Sequence, residues 1–318
     1  MTRIGVFGWG IVAPRSPNVE TFARNLEGAE SWLAPFNGFG RDNFLVGMPE
    51  FDFTAYKSWV DERFKPNRFP QLVEKMDLPS KYAVGSFIQA LDQNPGIEDE
   101  LQRLGNEAHV YVGTGIGNIG TIHDATLDLY RAQRRWNRFW AQPERNAALR
   151  THLGGDPDPQ APPAPEASDE AEREAAEDAW WEHWAGRSTE LGEYLTELAE
   201  IESLSVEGDV EAGKMRLLKE KGRRQSRLQK KWEAPEPPWR AVSANVIWNI
   251  HNTPASQISM LGHITGLTFA PVAACSTFGV SLKLAMDTIR RGEAKAVVVG
   301  ATDPAPHPLI VGAFYSGR

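Results

Sequence analysis

With one cysteine, Cys275, the chain cannot close an internal disulfide, which excludes a disulfide-stapled secreted scaffold. Long hydrophobic runs are also missing: no stretch approaches the roughly 20 apolar residues that a membrane helix requires. The segment from Met1 to Val12 is apolar but short, and Gly5, Gly8 and Gly10 break it before Pro14. A secretory signal needs a longer uninterrupted apolar stretch, so the segment reads as a first buried strand and a cytoplasmic address is expected. Excess positive charge is absent as well. The 34 Lys and Arg face 42 Asp and Glu, a formal net charge of −8, which gives nucleic acid no support as the main partner. No solenoid-like repeat is found.

What is present is the composition of a globular α/β protein. The 318 residues, 41% hydrophobic and 24% charged, suffice for two domains or one large α/β unit. Thr21 to Leu26 reads as a short helix ended by Gly28, and Trp32 to Pro79 as loops with short elements. Ser80 is placed to cap a buried helix over Lys81 to Asp92, where Ala83, Phe87, Ala90 and Leu91 recur at helical spacing. A core strand over His109 to Thr114 runs into the loop Gly115-Ile116-Gly117-Asn118, and a helix follows over Thr121 to Trp140.

Composition then changes. Gly154 to Pro165 holds five prolines and reads as a linker. An acidic helix-prone stretch, Ser168 to Ser203, contains Trp180, Trp181 and Trp184 placed to pack onto the body of the protein. A basic stretch, Lys214 to Lys231, follows. Together they suggest an inserted helical hairpin with oppositely charged arms, either a structural embellishment or a docking arm. The organisation expected is a body of residues 1–150 and 238–318 with an insertion at 151–237. In the body, Ser256 to Gly262 reads as a helix, Leu267 to Ala274 as a strand, Ser276 to Arg291 as a helix ended by Gly292, and Ala294 to Gly300 as a strand. That order is a βαβ unit with parallel strands.

Cys275 falls where strand gives way to helix, in Ala273-Ala274-Cys275-Ser276-Thr277. A sulfur at a helix N-terminus faces unpaired N–H groups and the positive end of the dipole, a setting suited to a nucleophile and to an oxyanion beside it. An isolated cysteine in an apolar stretch is otherwise an inert small hydrophobe.

The neighbouring motifs carry a resemblance. Asn252-Thr-Pro-Ala-Ser-Gln-Ile-Ser-Met-Leu-Gly-His263, Gly266 and Pro271-Val-Ala-Ala-Cys-Ser-Thr277 come first, then Ile289-Arg-Arg-Gly-Glu-Ala-Lys-Ala-Val-Val-Val-Gly-Ala-Thr-Asp303 and Gly312-Ala-Phe-Tyr-Ser-Gly-Arg318. Upstream stand Lys75-Met76-Asp77 and Val112-Gly-Thr-Gly-Ile-Gly117. Gly-x-Gly-x-Gly alone would also suit nucleotide binding. In this order the set resembles the β-ketoacyl synthases, over most of the chain outside the insertion. The two upstream motifs resemble the elongating type, whereas Ala-Ala-Cys and Phe278 resemble the initiating type.

The resemblance implies the N-terminal half of a thiolase-like fold, a mixed and largely parallel sheet with helices on both faces. It implies Cys275 as the nucleophile that takes an acyl group from a carrier-protein thioester. Ile116 and Phe314 would line the acyl pocket, or be plain core residues. Lys75 and Arg318 would receive the acidic acyl carrier protein, or be ordinary solvated charges; Gln71 and Glu74 stand where the family tends to be basic. Residues 267–273 would pair with their copy in a homodimer or heterodimer. No metal or redox cofactor is implied, since phosphopantetheine carries the substrate. Decarboxylation of a malonyl extender needs histidines, one in a His-Gly-Thr motif, from the second half of the fold. None of the seven histidines precedes Gly-Thr, and His263 reads as structural. A separate or missing C-terminal half is expected to supply them. The alternatives are a chain-length-factor-like partner subunit and a thiolase-like acyltransferase using coenzyme A thioesters.

Overall fold

The computed structural model describes residues 3–40, 44–205 and 210–317. The chain divides into two compact units, Met1–Asp124 with Ala244–Arg318, and Ala125–Ser243.

The first unit carries helices α1 (Val19–Glu27), α2 (Lys57–Arg63), α3 (Arg68–Lys75), α4 (Leu78–Asp92) and α5 (Ile97–Leu104), with a hairpin of β1 (Ala34–Phe36) and β2 (Phe44–Val46). Strand β3 (Ala108–Gly113) follows, and α6 (Ile119–Trp140) begins in this unit and continues into the other. After the second unit come α11 (Asn245–Trp248), α12 (Thr253–Leu261), β4 (Thr268–Phe269), α13 (Thr277–Arg290), β5 (Ala296–Ala301) and α14 (Pro308–Ser316). The expected parallel βαβ unit is present. β4 and β5 flank β3, each parallel to it, with Val110 opposite Thr268 and Val298. Antiparallel ladder pairing among the described residues is confined to the β1–β2 hairpin.

β3 is buried along its whole length, and its side chains alternate between two environments. Ala108, Val110 and Val112 enter an apolar core with Val84 and Ile88 of α4 and Ile258 and Leu261 of α12. Tyr111 points the other way, its hydroxyl 3.2 Å from that of Thr288 on α13. Helices therefore cover both faces of β3. Each buried Val, Leu or Ile contributes about 1.5–3 kcal/mol over its exposed state, so this three-layer packing holds the sheet end that presents the site.

Two expectations need correction. The segment before Pro14 is not a buried strand: residues 3–12 have no regular structure, and Val6, Phe7 and Trp9 are exposed. Its glycines permit a different solution. A Cβ on Gly8 would lie 2.1 Å from the Ala90 carbonyl oxygen, and one on Gly10 1.8 Å from that of Ser86. The backbone thus lies directly on α4. Gln89 Oε1 accepts the Ile11 N–H at 3.1 Å, and Gln93 donates to the Trp9 carbonyl, replacing a strand ladder. The second correction is one of register. α4 begins at Leu78, and its cap is Asp77, whose carboxylate accepts the Ser80 N–H at 3.0 Å.

In the second unit, α7 (Ala147–Leu153), α8 (Arg173–Gly186), α9 (Thr189–Glu202) and α10 (Val210–Trp232) join the later turns of α6. Trp136, Trp140, Tyr194, Leu198, Ile201 and Leu228 form its core. The α9–α10 pair is thus held chiefly by apolar packing, with Lys231–Glu197 as a peripheral ion pair. Trp184 is buried with Ala141 and Leu149, and Trp180 and Trp181 pack beside it. These tryptophans serve the core of their own unit.

Candidate functional site

The turn between β4 and α13 is built by three residues. Pro271 lacks the N–H that would continue a ladder. Ala274 then adopts φ +48°, a left-handed conformation costing an alanine on the order of 1–2 kcal/mol. Buried Thr277 holds it there. Thr277 Oγ1 accepts the Ala273 N–H at 3.0 Å and donates to the Ala274 carbonyl at 2.7 Å. The strained turn brings Cys275 out one residue before the α13 N-cap, Ser276, with its side chain exposed. Around it lies an open groove of about 510 Å³ lined by Cys275, Phe278, Gly279, Lys283 and Leu284.

The loop after β3 abuts this turn. A Cβ on Gly115 would lie 2.9 Å from the Ala274 carbonyl oxygen, and one on Gly117 2.7 Å from His251 Nε2. Gly117, at φ +71°, needs glycine on conformational grounds too. Asp303, beyond the end of β5, fixes the loop: its Oδ1 accepts the N–H groups of Gly115 and Ile116, both at 2.8 Å.

Ile116 and Phe314 come together. They line one cavity of about 390 Å³ with Phe44, Pro304, Ile310 and Tyr315. This cavity is distinct from the Cys275 groove, and Phe314 is 66% exposed, so it is not a core residue. Lys75 closes α3 with its ammonium 4.8 Å from the centre of the Trp248 ring. The carbonyl of Lys75 and the N–H of Asp77 are both held by the buried Asn249 amide, at 2.8 and 2.9 Å. Arg318 lies outside the described residues.

Residues 215–318 match the family model for the beta-ketoacyl synthase N-terminal domain. The Cys275 turn stands inside that match. The match takes in α12, the Cys275 turn, β5 and Asp303; no curated protein matches the chain. In the matched segment His263, one residue past the Gly262 that caps α12, adopts φ +52° and stacks on Phe64, ring centres 5.5 Å apart. His307 caps α14 through Nδ1, 3.2 Å from the Leu309 nitrogen. With His123 and Asp124 it forms a cluster whose ligand-type atoms lie within 4.8 Å of one another. No helix among the described residues is long and apolar enough to cross a membrane.

Thr277, Asp303 and Asn249 were not singled out by sequence reasoning. The signal was present for Thr277, a hydroxyl two residues after the nucleophile candidate at a helix start. Asp303 and Asn249 act on backbone groups 187 and 172 residues away in sequence, which no local pattern reveals.

Proposed function

We propose that the chain accepts an acyl group on Cys275 as the first half-reaction of a β-ketoacyl synthase. The thiolate attacks the carbonyl carbon of a carrier-protein thioester. The tetrahedral intermediate collapses, the new C–S bond to Cys275 remains, and the phosphopantetheine thiolate leaves and takes up a proton. The observation that carries this reading is the exposed sulfur on a strained turn opening α13, inside the family match. Backbone N–H groups at that helix start suit a developing oxyanion.

Ile116 and Phe314 are assigned to the acyl chain, and Lys75 with Arg318 to the carrier protein. The body proposed for this chemistry is residues 1–150 and 238–318. Its partner contact is placed at residues 267–273. There β4 is an edge strand, and Leu267, Phe269 and Val272 are between 48% and 58% exposed, a surface suited to pairing with a second copy. Decarboxylative condensation with a malonyl extender would draw its histidines from outside these 318 residues and needs no metal or redox cofactor. A cytoplasmic address goes with this reading.

Acylation by a carrier-protein thioester, faster than by the corresponding coenzyme A thioester, is the expected result. Preference for coenzyme A would favour a thiolase-like acyltransferase, and no acylation by either a non-catalytic partner subunit.

A further inference from the structure

Helix α10 carries nine Lys and Arg but only Glu211 and Glu220 as acids. Five of its cations, Arg216, Lys219, Arg223, Arg227 and Lys230, recur at i, i+3, i+7, i+11 and i+14. At 3.6 residues per turn they fall within about 80° of the helix circumference and extend over about 21 Å. All five are exposed, and among the described residues no ion pair holds any of them. The opposite face, with Leu228 and Trp232, packs into the core of the second unit. Glu220 sits at the border of the row. Its carboxylate is bonded to Arg224 Nε at 2.8 Å, and that bond, with Arg223 and Arg227 nearby, holds it below the usual carboxylate range.

Beside the row, within about 60° of its edge, lie Met215, 59% exposed, and Gly222. A straight line of unpaired cations with an apolar, low-relief strip along one side matches an acidic amphipathic helix. Like charges at helical spacing repel one another, and a complementary acidic surface relieves that repulsion. A nucleic-acid phosphate chain would use the cations but has no use for the exposed Met215 beside them.

We propose that this face of α10 is a second docking surface, besides Lys75 and Arg318, for an acidic helical protein, the acyl carrier protein that delivers the acyl group. The partner's identity rests on the reading of Cys275 given above; the surface does not. In a protein of net charge −8, a local basic row concentrates attraction at one place and steers encounter.

The test is binding of a purified apo acyl carrier protein, without thioester, to the full chain at low and moderate salt. Wild type is compared with the triple variant Arg216→Glu/Arg223→Glu/Arg227→Glu and its milder Gln counterpart, with circular dichroism to check that α10 remains helical. The expected result is salt-sensitive binding that weakens about tenfold or more in the Glu variant and less in the Gln variant. In parallel, Cys275 acylation by a small pantetheine thioester should be equal in all three proteins. Binding of equal strength in all three overturns the docking surface, as does tighter binding of a DNA duplex of about 20 base pairs that the same substitutions abolish. If the small thioester fails to acylate while the carrier protein still binds through α10, the acyl-transfer reading falls and the docking surface stands.

Discussion

The backbone N–H of Ile116 donates to Oδ1 of Asp303 at 2.8 Å, and the same oxygen takes the neighbouring Gly115 N–H. One carboxylate beyond β5 thereby fixes the loop leaving β3, and with it the Ile116 side chain in its cavity and Gly115 against the Ala274 carbonyl.

Asp303→Ala removes this acceptor. The expected cost is about 1–2 kcal/mol, since the site is exposed and water replaces part of each lost bond. Asp303→Asn keeps an oxygen in place and should lose less than half as much. Thermal melting of the three proteins checks the order, and equal melting of wild type and Asp303→Ala would show that the loop is held by packing alone.

Thr277 is the lock on the turn. Thr277→Val conserves the shape of the side chain but leaves the Ala273 N–H without its partner and the Ala274 carbonyl with only the Thr277 backbone N–H. A loss of about 1–3 kcal/mol follows, with a fall of about tenfold or more in Cys275 alkylation or acylation rate as Ala274 relaxes from φ +48°. Thr277→Ser should restore both. A fast Thr277→Val protein would mean that the strained turn does not set the reactivity of the sulfur.

Asp77 gives a pH prediction. Burial, the largest influence, raises its carboxyl above the ordinary 3.8, against the opposing hydrogen bonds from Ser80. Between the unfolded and the raised folded value, the folded state holds more protons, so stability falls as pH rises through that window. At neutral pH the buried charge is a cost. Asp77→Asn retains a good N-cap and should melt higher than wild type at pH 7, by a margin that shrinks towards pH 4. A margin that grows on acidification would contradict this sign.

Much of the framework was legible because periodicity and punctuation agree with the packing. β3, β5, α12, α13 and the left-handed Gly292 fall where apolar spacing and glycine placed them. The position of the Cys275 turn was legible too, since the small residues before it interrupt the apolar pattern between strand and helix, whereas its conformation depends on Thr277. The opening segment was misread because its glycines look like strand punctuation, whereas their function is close approach to α4. The cap of α4 shifted to Asp77 because Leu78 and Pro79 enter the helix as its first turn. In the second unit, composition changes at the prolines, but the compact unit begins at Ala125. The reason is that Trp136 and Trp140 of α6 pack with Tyr194 and Leu228, a contact that compositional boundaries do not register.

The most direct test of the central claim is denaturing intact-mass spectrometry after incubation with an acyl-carrier-protein thioester. A mass gain of one acyl group, present in the native sequence and absent in Cys275→Ala, is the predicted result. An unchanged mass in the native protein, or the same gain in Cys275→Ala, would contradict Cys275 as the acyl acceptor.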